Sequence, residues 1–383
     1  MKLAVIGAGL MGRAAVYDLS RVAEVERLSV FDRDFGRAQE VACQFGHEKA
    51  VAGRLEAVDE DAVAAGLAGH KAAVACTTYQ HNLVLTRAAI RAGCHLVDLG
   101  GNNDVVREQL ALDADAHRAG VIVVPDCGLA PGMVSIMVAD AVEQFERTDS
   151  VQIRVGGLPQ VPRGPLKYQL LFSAEGLINE YWEPCLILEG GRKKTVNPMT
   201  GLERLEFDGI GELETFYTSG GTSTLPDTFE GRIGHLDYKT IRYPGHCELV
   251  RAMLELGLAS RKNVEIDGHE VEPRAVFRRV LERNLSFNDP DLVLVRVAAE
   301  GIRSGRPTRR VYEIVDRQDI RTGLTAMMRC TAFPAAIIAF LAAVGQIGAP
   351  GVKPQEVAVK PGLFLPQLKK RGINLEISEA ETA

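Results

Sequence analysis

The chain has 383 residues, of which 46% are hydrophobic and 25% charged, and its formal net charge is −6. A single hydrophobic core rarely grows beyond roughly 250–300 residues, so the length predicts two domains. Because the balance is acidic and no basic run is present, nucleic acid and membranes are disfavoured as partners, and small metabolites are favoured.

The sequence indicates a cytoplasmic protein. Its start, MKLAVIGAGLMG, runs from one lysine into a strand pattern and glycines, unlike a signal peptide. The most apolar later segment, Thr331–Val344, is shorter than the roughly 20 residues that span a bilayer. The seven cysteines are scattered without a CxxC pair or a zinc-type grouping, which predicts reduced thiols and no metal site.

In the first third of the chain, short apolar runs alternate with helical periodicity. This alternation predicts an α/β fold with a doubly wound, parallel Rossmann sheet over residues 1–128. The predicted strands are Lys2–Ile6, Arg27–Phe31, Ala72–Cys76, His95–Leu99 and Val121–Pro125, and the predicted helices are Leu10–Leu19, Arg37–Phe45, Leu83–Arg91 and Val105–Arg118.

A glycine motif follows the first predicted strand. Gly7 permits a tight turn, Gly9 lets a pyrophosphate approach the backbone, and Gly12 allows the helix to pack closely on the strand. The intervening Leu10 and Met11 open the helix, whose free N–H groups and positive dipole end attract phosphate. This arrangement predicts a bound dinucleotide.

Asp32 ends the second predicted strand, twenty residues beyond the last glycine of the motif. A carboxylate there accepts hydrogen bonds from the ribose hydroxyls and repels a 2′-phosphate, so NAD is the predicted cofactor. The neighbouring Arg33 could instead receive that phosphate, which keeps NADP as an alternative.

Two further turns follow predicted strands, where doubly wound sheets bind ligands. In the first, Cys76–Asn82, we expect Thr77 to contact the cofactor and Tyr79 or His81 to serve as an acid or base. In the second, Asp98–Asn102, we expect Gly100 to approach the cofactor and Asp98 the substrate.

From about residue 150 the pattern changes to alternating strands, hairpin glycines and a few helices. It predicts an α+β substrate and dimerisation domain over residues 129–321, with a mostly antiparallel sheet. Residues 322–345 read as one apolar helix that Pro334 would kink, and we expect the segment 322–383 to pack back on the first domain.

Polar residues of the second domain concentrate in three stretches, 172–181, 216–224 and 239–246. Arg242, on a predicted strand, is a natural bidentate partner for a carboxylate. Thr222 and Ser223 lie in a loop rich in hydroxyls and glycine that could hold an amino-acid head group. Each stretch also has a purely structural interpretation that involves no ligand: a helix cap, a solvated loop or a surface ion pair.

Seven motifs recur in the same order in the lysine 6-dehydrogenase family, part of the saccharopine dehydrogenase superfamily, and the chain resembles that family along almost its whole length. The motifs are GAGLMG, DLGG, GLAPGM, FSAEGLINEY, TSGGTST, YKTIRYPGH and TAMMRCTAF. The resemblance implies NAD-dependent oxidation of L-lysine at the ε-carbon, with ammonia and 2-aminoadipate 6-semialdehyde as products. It also implies a homodimer or larger assembly and a pocket role for Arg242.

Two positions depart from the saccharopine reductases of this superfamily. Ala130 replaces the Asp of their GLDPG motif, and the neutral loop 218–224 replaces a charged Asn-Arg-Asp-Ser run. Saccharopine carries a further carboxylate that needs a cation, so these losses favour the smaller lysine. A saccharopine- or carboxynorspermidine-type reductase and a non-catalytic NAD-binding regulator are the alternatives.

Amine oxidation requires a neutral nitrogen, whereas free lysine has an ε-amine pKa of about 10.4. The candidate bases are Glu175, His246, His81, Tyr79 and Asp98. His246 follows a glycine at a predicted helix start, where the helix dipole would keep the imidazole neutral. Glu175 could instead hold the ammonium group.

Overall fold

The structure is a computed structural model that describes residues 1–382. Residues 1–144 form β1 (Lys2–Ile6), α1 (Leu10–Ser20), β2 (Arg27–Asp32), α2 (Phe35–Phe45), β3 (Ala50–Arg54), α3 (Glu60–Leu67), β4 (Ala72–Ala75), a 3₁₀ turn (Tyr79–His81), α4 (Asn82–Ala92), β5 (His95–Asp98), α5 (Asn103–Leu110), α6 (Asp113–Ala119), β6 (Ile122–Val124) and α7 (Met133–Gln144).

Residues 145–382 form β7 (Arg147–Pro159), α8 (Ala174–Trp182), β8 (Cys185–Glu189), β9 (Arg192–Val196), β10 (Glu203–Phe207), β11 (Gly211–Tyr217), α9 (Leu225–Phe229), β12 (Ile233–Arg242), α10 (His246–Glu255), β13 (Val264–Ile266), β14 (His269–Val271), α11 (Pro273–Leu285), β15 (Asp291–Arg303), β16 (Arg306–Arg317), α12 (Ala326–Ala343), β17 (Gly351–Val352), α13 (Gln355–Ala358), α14 (Pro361–Lys370) and β18 (Leu375–Glu381).

The chain divides into two compact units. The first comprises residues 1–144, 223–228 and 328–375, and the second comprises residues 145–222, 229–327 and 376–382. The first unit therefore extends past the predicted boundary at residue 128 and includes α7. The C-terminal helices belong to this unit, whereas the last residues, 376–382, belong to the second.

The first unit is built on a seven-stranded sheet in the order β17-β6-β5-β4-β1-β2-β3. All of its pairs are parallel, which confirms the predicted Rossmann fold. The central strands are buried on both faces because helices cover them, so their sequences are continuously apolar. The strand order reverses between β1 and β4, and the loops after these strands meet at that edge.

Three features of the first unit differ from the sequence prediction. Strand β3 and helix α3 were not predicted, because AVAGR shows no clean alternation and α3 is short. The predicted helix over residues 105–118 is two helices, α5 and α6, separated near Leu112. Asp113 and Asp115 lie in the first turn of α6, where carboxylates favour a new helix N-terminus.

The second unit contains a nine-stranded sheet whose main path is β10-β11-β12-β7-β15-β16-β18, with β8 and β9 joined to β12. Strands β12 and β7 pair in parallel. The other pairs are antiparallel, as the prediction of a mostly antiparallel sheet requires: β10 with β11, β11 with β12, β8 with β12 and β9, and β15 with β7 and β16. Helices α8, α10 and α11 share one apolar cluster beside the sheet. Tyr168 and Tyr181 of this cluster lie beside the buried side chains of Arg242 and His246.

Helix α12 is continuous through Pro334. By length and composition it could cross a membrane, and 78% of it is buried within the protein, as in the core helix of many globular proteins.

Candidate active site

The glycine loop after β1 has the geometry of a phosphate cradle. Gly7 has a φ of +100°, and a Cβ on Gly12 would lie 1.9 Å from the Gly7 carbonyl oxygen, so both positions require glycine. A Cβ on Gly9 would meet nothing within 4 Å, which leaves open space beside the backbone there. Helix α1 begins at Leu10, followed by Met11, and has neither a side-chain cap nor an acidic residue in its first turn. The backbone N–H groups of this first turn are therefore available to an anion.

Asp32 ends β2 beside this loop. Its Oδ2 accepts a hydrogen bond from the Ala8 N–H at 2.8 Å, and its Oδ1 accepts one from the Asp34 N–H at 2.9 Å. These bonds fix the carboxylate, and each oxygen keeps a further lone pair for a ribose hydroxyl.

The loops after β4 and β5 continue the same edge of the sheet. A Cβ on Gly7 would lie 3.2 Å from the Thr77 backbone nitrogen, and a Cβ on Gly101 would lie 3.2 Å from the Tyr79 ring. The Thr77 hydroxyl is buried and has no hydrogen-bond partner in the described chain. An orphan hydroxyl beside an open glycine cradle fits a dinucleotide.

Asp98, which the sequence suggested as a substrate contact, is buried and engaged by the protein. It is fully buried, and its carboxylate accepts hydrogen bonds from Gln109 Nε2 at 2.7 Å, the Gly100 N–H at 2.8 Å and the Asp126 N–H at 3.2 Å. Burial raises the pKa of Asp98. With these donors around it, the side chain orders the loops after β5 and β6.

Asp126, which follows β6, was missed in the sequence analysis. The Ser223 hydroxyl donates to its Oδ2, while its Oδ1 is buried without a partner, so Ser223 is engaged within the first unit. Burial, and then the charge of Asp98, raises the pKa of Asp126 to about 7. Its place at the carboxyl end of a parallel strand is the signal that could have identified it.

Arg242, at the end of β12, is buried in the second unit. Its Nε donates to the Tyr181 hydroxyl oxygen at 2.8 Å and its Nη1 donates to the Ile241 carbonyl oxygen at 2.8 Å. The guanidinium carbon lies 4.6 Å from the centre of the Tyr168 ring. The rest of the guanidinium has no hydrogen-bond or carboxylate partner among residues 1–382.

His246 is placed as a core residue, not as an accessible base. Its Nδ1 lies 2.8 Å from the Leu166 carbonyl oxygen, which can only accept, so Nδ1 carries the proton. The Tyr181 hydroxyl therefore donates to Nε2, at 3.1 Å. Burial, and then the charge of Arg242, lowers the pKa of His246 to about 3. The imidazole is neutral, as expected, but both nitrogens are occupied.

Glu175 and Thr222 are also engaged by the protein. Glu175 pairs with Arg274 at 2.9 Å and with Arg261 at 3.1 Å, and the Thr222 hydroxyl donates to a backbone carbonyl oxygen at 3.2 Å. The carboxylate that stays unpaired on α8 is instead Glu180, which is partly buried. Burial raises the pKa of Glu180 to about 7, although the charge of Arg242 opposes the shift.

No cluster of three or more His, Cys, Asp or Glu side chains suited to a metal ion occurs in residues 1–382. All seven cysteines are free thiols.

Comparison with known proteins identifies both parts of the chain. Residues 3–124 match the saccharopine dehydrogenase NADP binding domain, and residues 128–373 match the saccharopine dehydrogenase C-terminal domain. A solved structure of apo saccharopine dehydrogenase (L-Glu forming) from Saccharomyces cerevisiae superposes with a TM-score of 0.82 and 18% identity, covering 99% of each chain.

Two curated relatives are named saccharopine dehydrogenase [NADP(+), L-glutamate-forming]. The one from Schizosaccharomyces pombe is 21% identical over 75% of this chain and 65% of its own length. The one from Saccharomyces cerevisiae is 22% identical over 66% of this chain and 57% of its own length. The matched region thus spans less than two thirds of either relative. With both domains matched, the chain belongs to the saccharopine dehydrogenase family.

Proposed function

We propose that the protein is an NAD-dependent dehydrogenase that oxidises the ε-amine of L-lysine. Lysine, NAD⁺ and water would give 2-aminoadipate 6-semialdehyde, ammonium, NADH and a proton, and the semialdehyde would cyclise to a piperideine carboxylate. The observation that carries this proposal is the unpaired charge of Arg242.

The buried cations of the second unit are Arg154, Lys239, Arg242 and Arg274. Three of them have carboxylate partners: Arg154 pairs with Asp237, Lys239 with Glu203, and Arg274 with Glu175. Arg242 makes no ion pair within the described residues, although the charge of Glu180 acts on it without contact. Because an unpaired buried charge is costly, its position calls for an anionic ligand.

A single unpaired cation suits a substrate with one carboxylate. Saccharopine carries a lysine carboxylate and the two carboxylates of a glutamate unit, so it would need further cations. The loop 218–224 offers hydroxyls and glycines but no charge. This charge balance supports lysine over saccharopine.

The first unit fits a nicotinamide dinucleotide through the open Gly9 position, the uncapped N-terminus of α1 and the orphan hydroxyl of Thr77. We propose NAD over NADP because the Asp32 carboxylate would repel a 2′-phosphate. When bound, NAD⁺ supplies the acceptor for the hydride that leaves the ε-carbon. Arg242 would hold the distal carboxylate in place during that transfer.

The runner-up is a saccharopine-type reductase, which the names of the two curated relatives favour. Purified protein should be incubated separately with L-lysine and with saccharopine, each with NAD⁺ and with NADP⁺. We expect NADH absorbance and an equal amount of ammonia from L-lysine. NAD(P)H formation from saccharopine alone, without ammonia, would establish the runner-up, and no turnover with any amine would favour a non-catalytic regulator. The homodimer stays a prediction.

A further inference from the structure

We infer that Glu180 and Arg242 together bind the charged head group of an α-amino acid, with Arg242 on the carboxylate and Glu180 on the ammonium. This inference rests on the proposed function and deepens it. Anchoring both head-group charges would leave the far end of the side chain as the part that reacts. The pair would therefore set which carbon of the substrate is oxidised.

The carboxylate of Glu180 has no hydrogen bond or ion pair within residues 1–382. It belongs to the residue just before Tyr181, whose hydroxyl oxygen accepts the Arg242 Nε–H at 2.8 Å. The Ser219 N–H donates to the Glu180 carbonyl oxygen at 2.9 Å, so the neutral segment around Ser219 lies against this end of α8. An anion and a cation thus lie in one region of the second unit without pairing to each other.

Two buried hydroxyls near these charges provide an independent sign of a ligand. The Tyr168 hydroxyl and the Thr218 Oγ1 have no hydrogen-bond partner, although both residues are at least 98% buried. The Tyr168 ring lies under the Arg242 guanidinium, and Thr218 precedes the residue that bonds to Glu180. Unsatisfied buried hydroxyls are uncommon, and a bound head group would give them acceptors.

Charge matching selects the class of ligand. A simple carboxylate would satisfy Arg242 and leave the Glu180 charge without a partner, whereas a simple amine would do the reverse. An α-amino acid presents both charges on neighbouring atoms and can match both side chains at once. Glu175 cannot take this role, because Arg274 and Arg261 already hold its carboxylate.

The test compares two ligands that differ in the α-ammonium group, L-norleucine and hexanoate, by titration calorimetry of the full chain with NADH present. Neither ligand has an ε-amine, so binding is measured without turnover. We expect norleucine to bind the wild-type protein at least tenfold more tightly than hexanoate. Glu180→Gln should weaken norleucine binding about 10- to 100-fold, the range for loss of a hydrogen bond between charged groups. The same variant should bind hexanoate with an affinity within about twofold of the wild type. Retained hexanoate binding also shows that the variant is folded.

Glu183→Gln is the matched control, since it removes an exposed carboxylate at the end of the same helix and should change neither affinity. Equal binding of the two ligands by the wild type, or an equal loss of both in Glu180→Gln, or no loss, would overturn the inference. If L-lysine gives no NADH while norleucine is still preferred, the proposed function fails and the head-group site stands.

Discussion

Replacing Tyr181 with Phe removes one oxygen atom and breaks two hydrogen bonds, one to the Arg242 guanidinium and one to His246. The phenol oxygen accepts from Arg242 Nε at 2.8 Å, and its O–H donates to His246 Nε2 at 3.1 Å. His246 is in turn held by the Leu166 carbonyl oxygen. In the variant, the guanidinium keeps only its bond to the Ile241 carbonyl oxygen.

The size of the effect follows from the kinds of bond that are lost. A hydrogen bond to a charged group contributes about 1.5–3 kcal/mol and a neutral one about 1 kcal/mol. The free energy of unfolding of the second unit should therefore fall by about 2.5–4 kcal/mol. We expect the KM for lysine to rise about tenfold, which corresponds to 1.4 kcal/mol of lost orientation at Arg242. The kcat should change little, because hydride transfer takes place at the other end of the substrate.

The assay combines urea denaturation with initial rates of NADH formation across lysine concentrations. Tyr243→Phe is the control, since Tyr243 is a buried phenol whose hydroxyl donates to the Pro159 carbonyl oxygen at 2.8 Å and makes no hydrogen bond to Arg242. That variant should lose about 1 kcal/mol of stability and keep the wild-type KM. A wild-type KM in Tyr181→Phe, or the same rise in both variants, would refute the reasoning that Tyr181 positions Arg242.

Three further predictions concern the first unit. Asp32→Ser should weaken NAD binding and strengthen NADP binding, each by about tenfold, in fluorescence titrations, because the carboxylate that repels a 2′-phosphate is gone; an unchanged preference would remove Asp32 from the cofactor site. Gly9→Ala and Gly12→Ala should both lose dinucleotide binding. Only Gly12→Ala should lower the melting temperature, because a Cβ on residue 12 would lie 1.9 Å from a backbone oxygen, whereas a Cβ on residue 9 would meet no atom within 4 Å. Asp126→Asn should become more stable than the wild type as the pH rises. The pKa of Asp126 is raised to about 7 in the folded protein, so the wild type has the full stability contribution of this carboxyl group below pH 4 and loses it as the pH rises through 7, whereas Asn does not titrate. The difference in the free energy of unfolding should approach about 4 kcal/mol above pH 7, and a pH-independent difference would contradict it.

Much of the first unit could be predicted from the sequence, because its signals are local. The glycine motif and Asp32 are defined by short-range geometry, and each adopts the place expected in the sheet. The same holds for the buried parallel strands, whose apolar runs reflect helices on both faces. Strand β3 escaped prediction because an edge strand of mixed pattern has no such signal.

The sequence by itself determined the Rossmann fold of the first unit and the position of Arg242 on a strand. Only the tertiary structure decided which polar side chains are free to act. Glu175 is neutralised by Arg274, which lies 99 residues away in the chain, whereas Glu180, on the same helix, stays unpaired. His246 is held by a carbonyl oxygen 80 residues away, and Asp98 orders a loop 28 residues away. Burial and partnership arise from contacts between distant segments, and so residue type and local pattern could not distinguish a free carboxylate from a paired one.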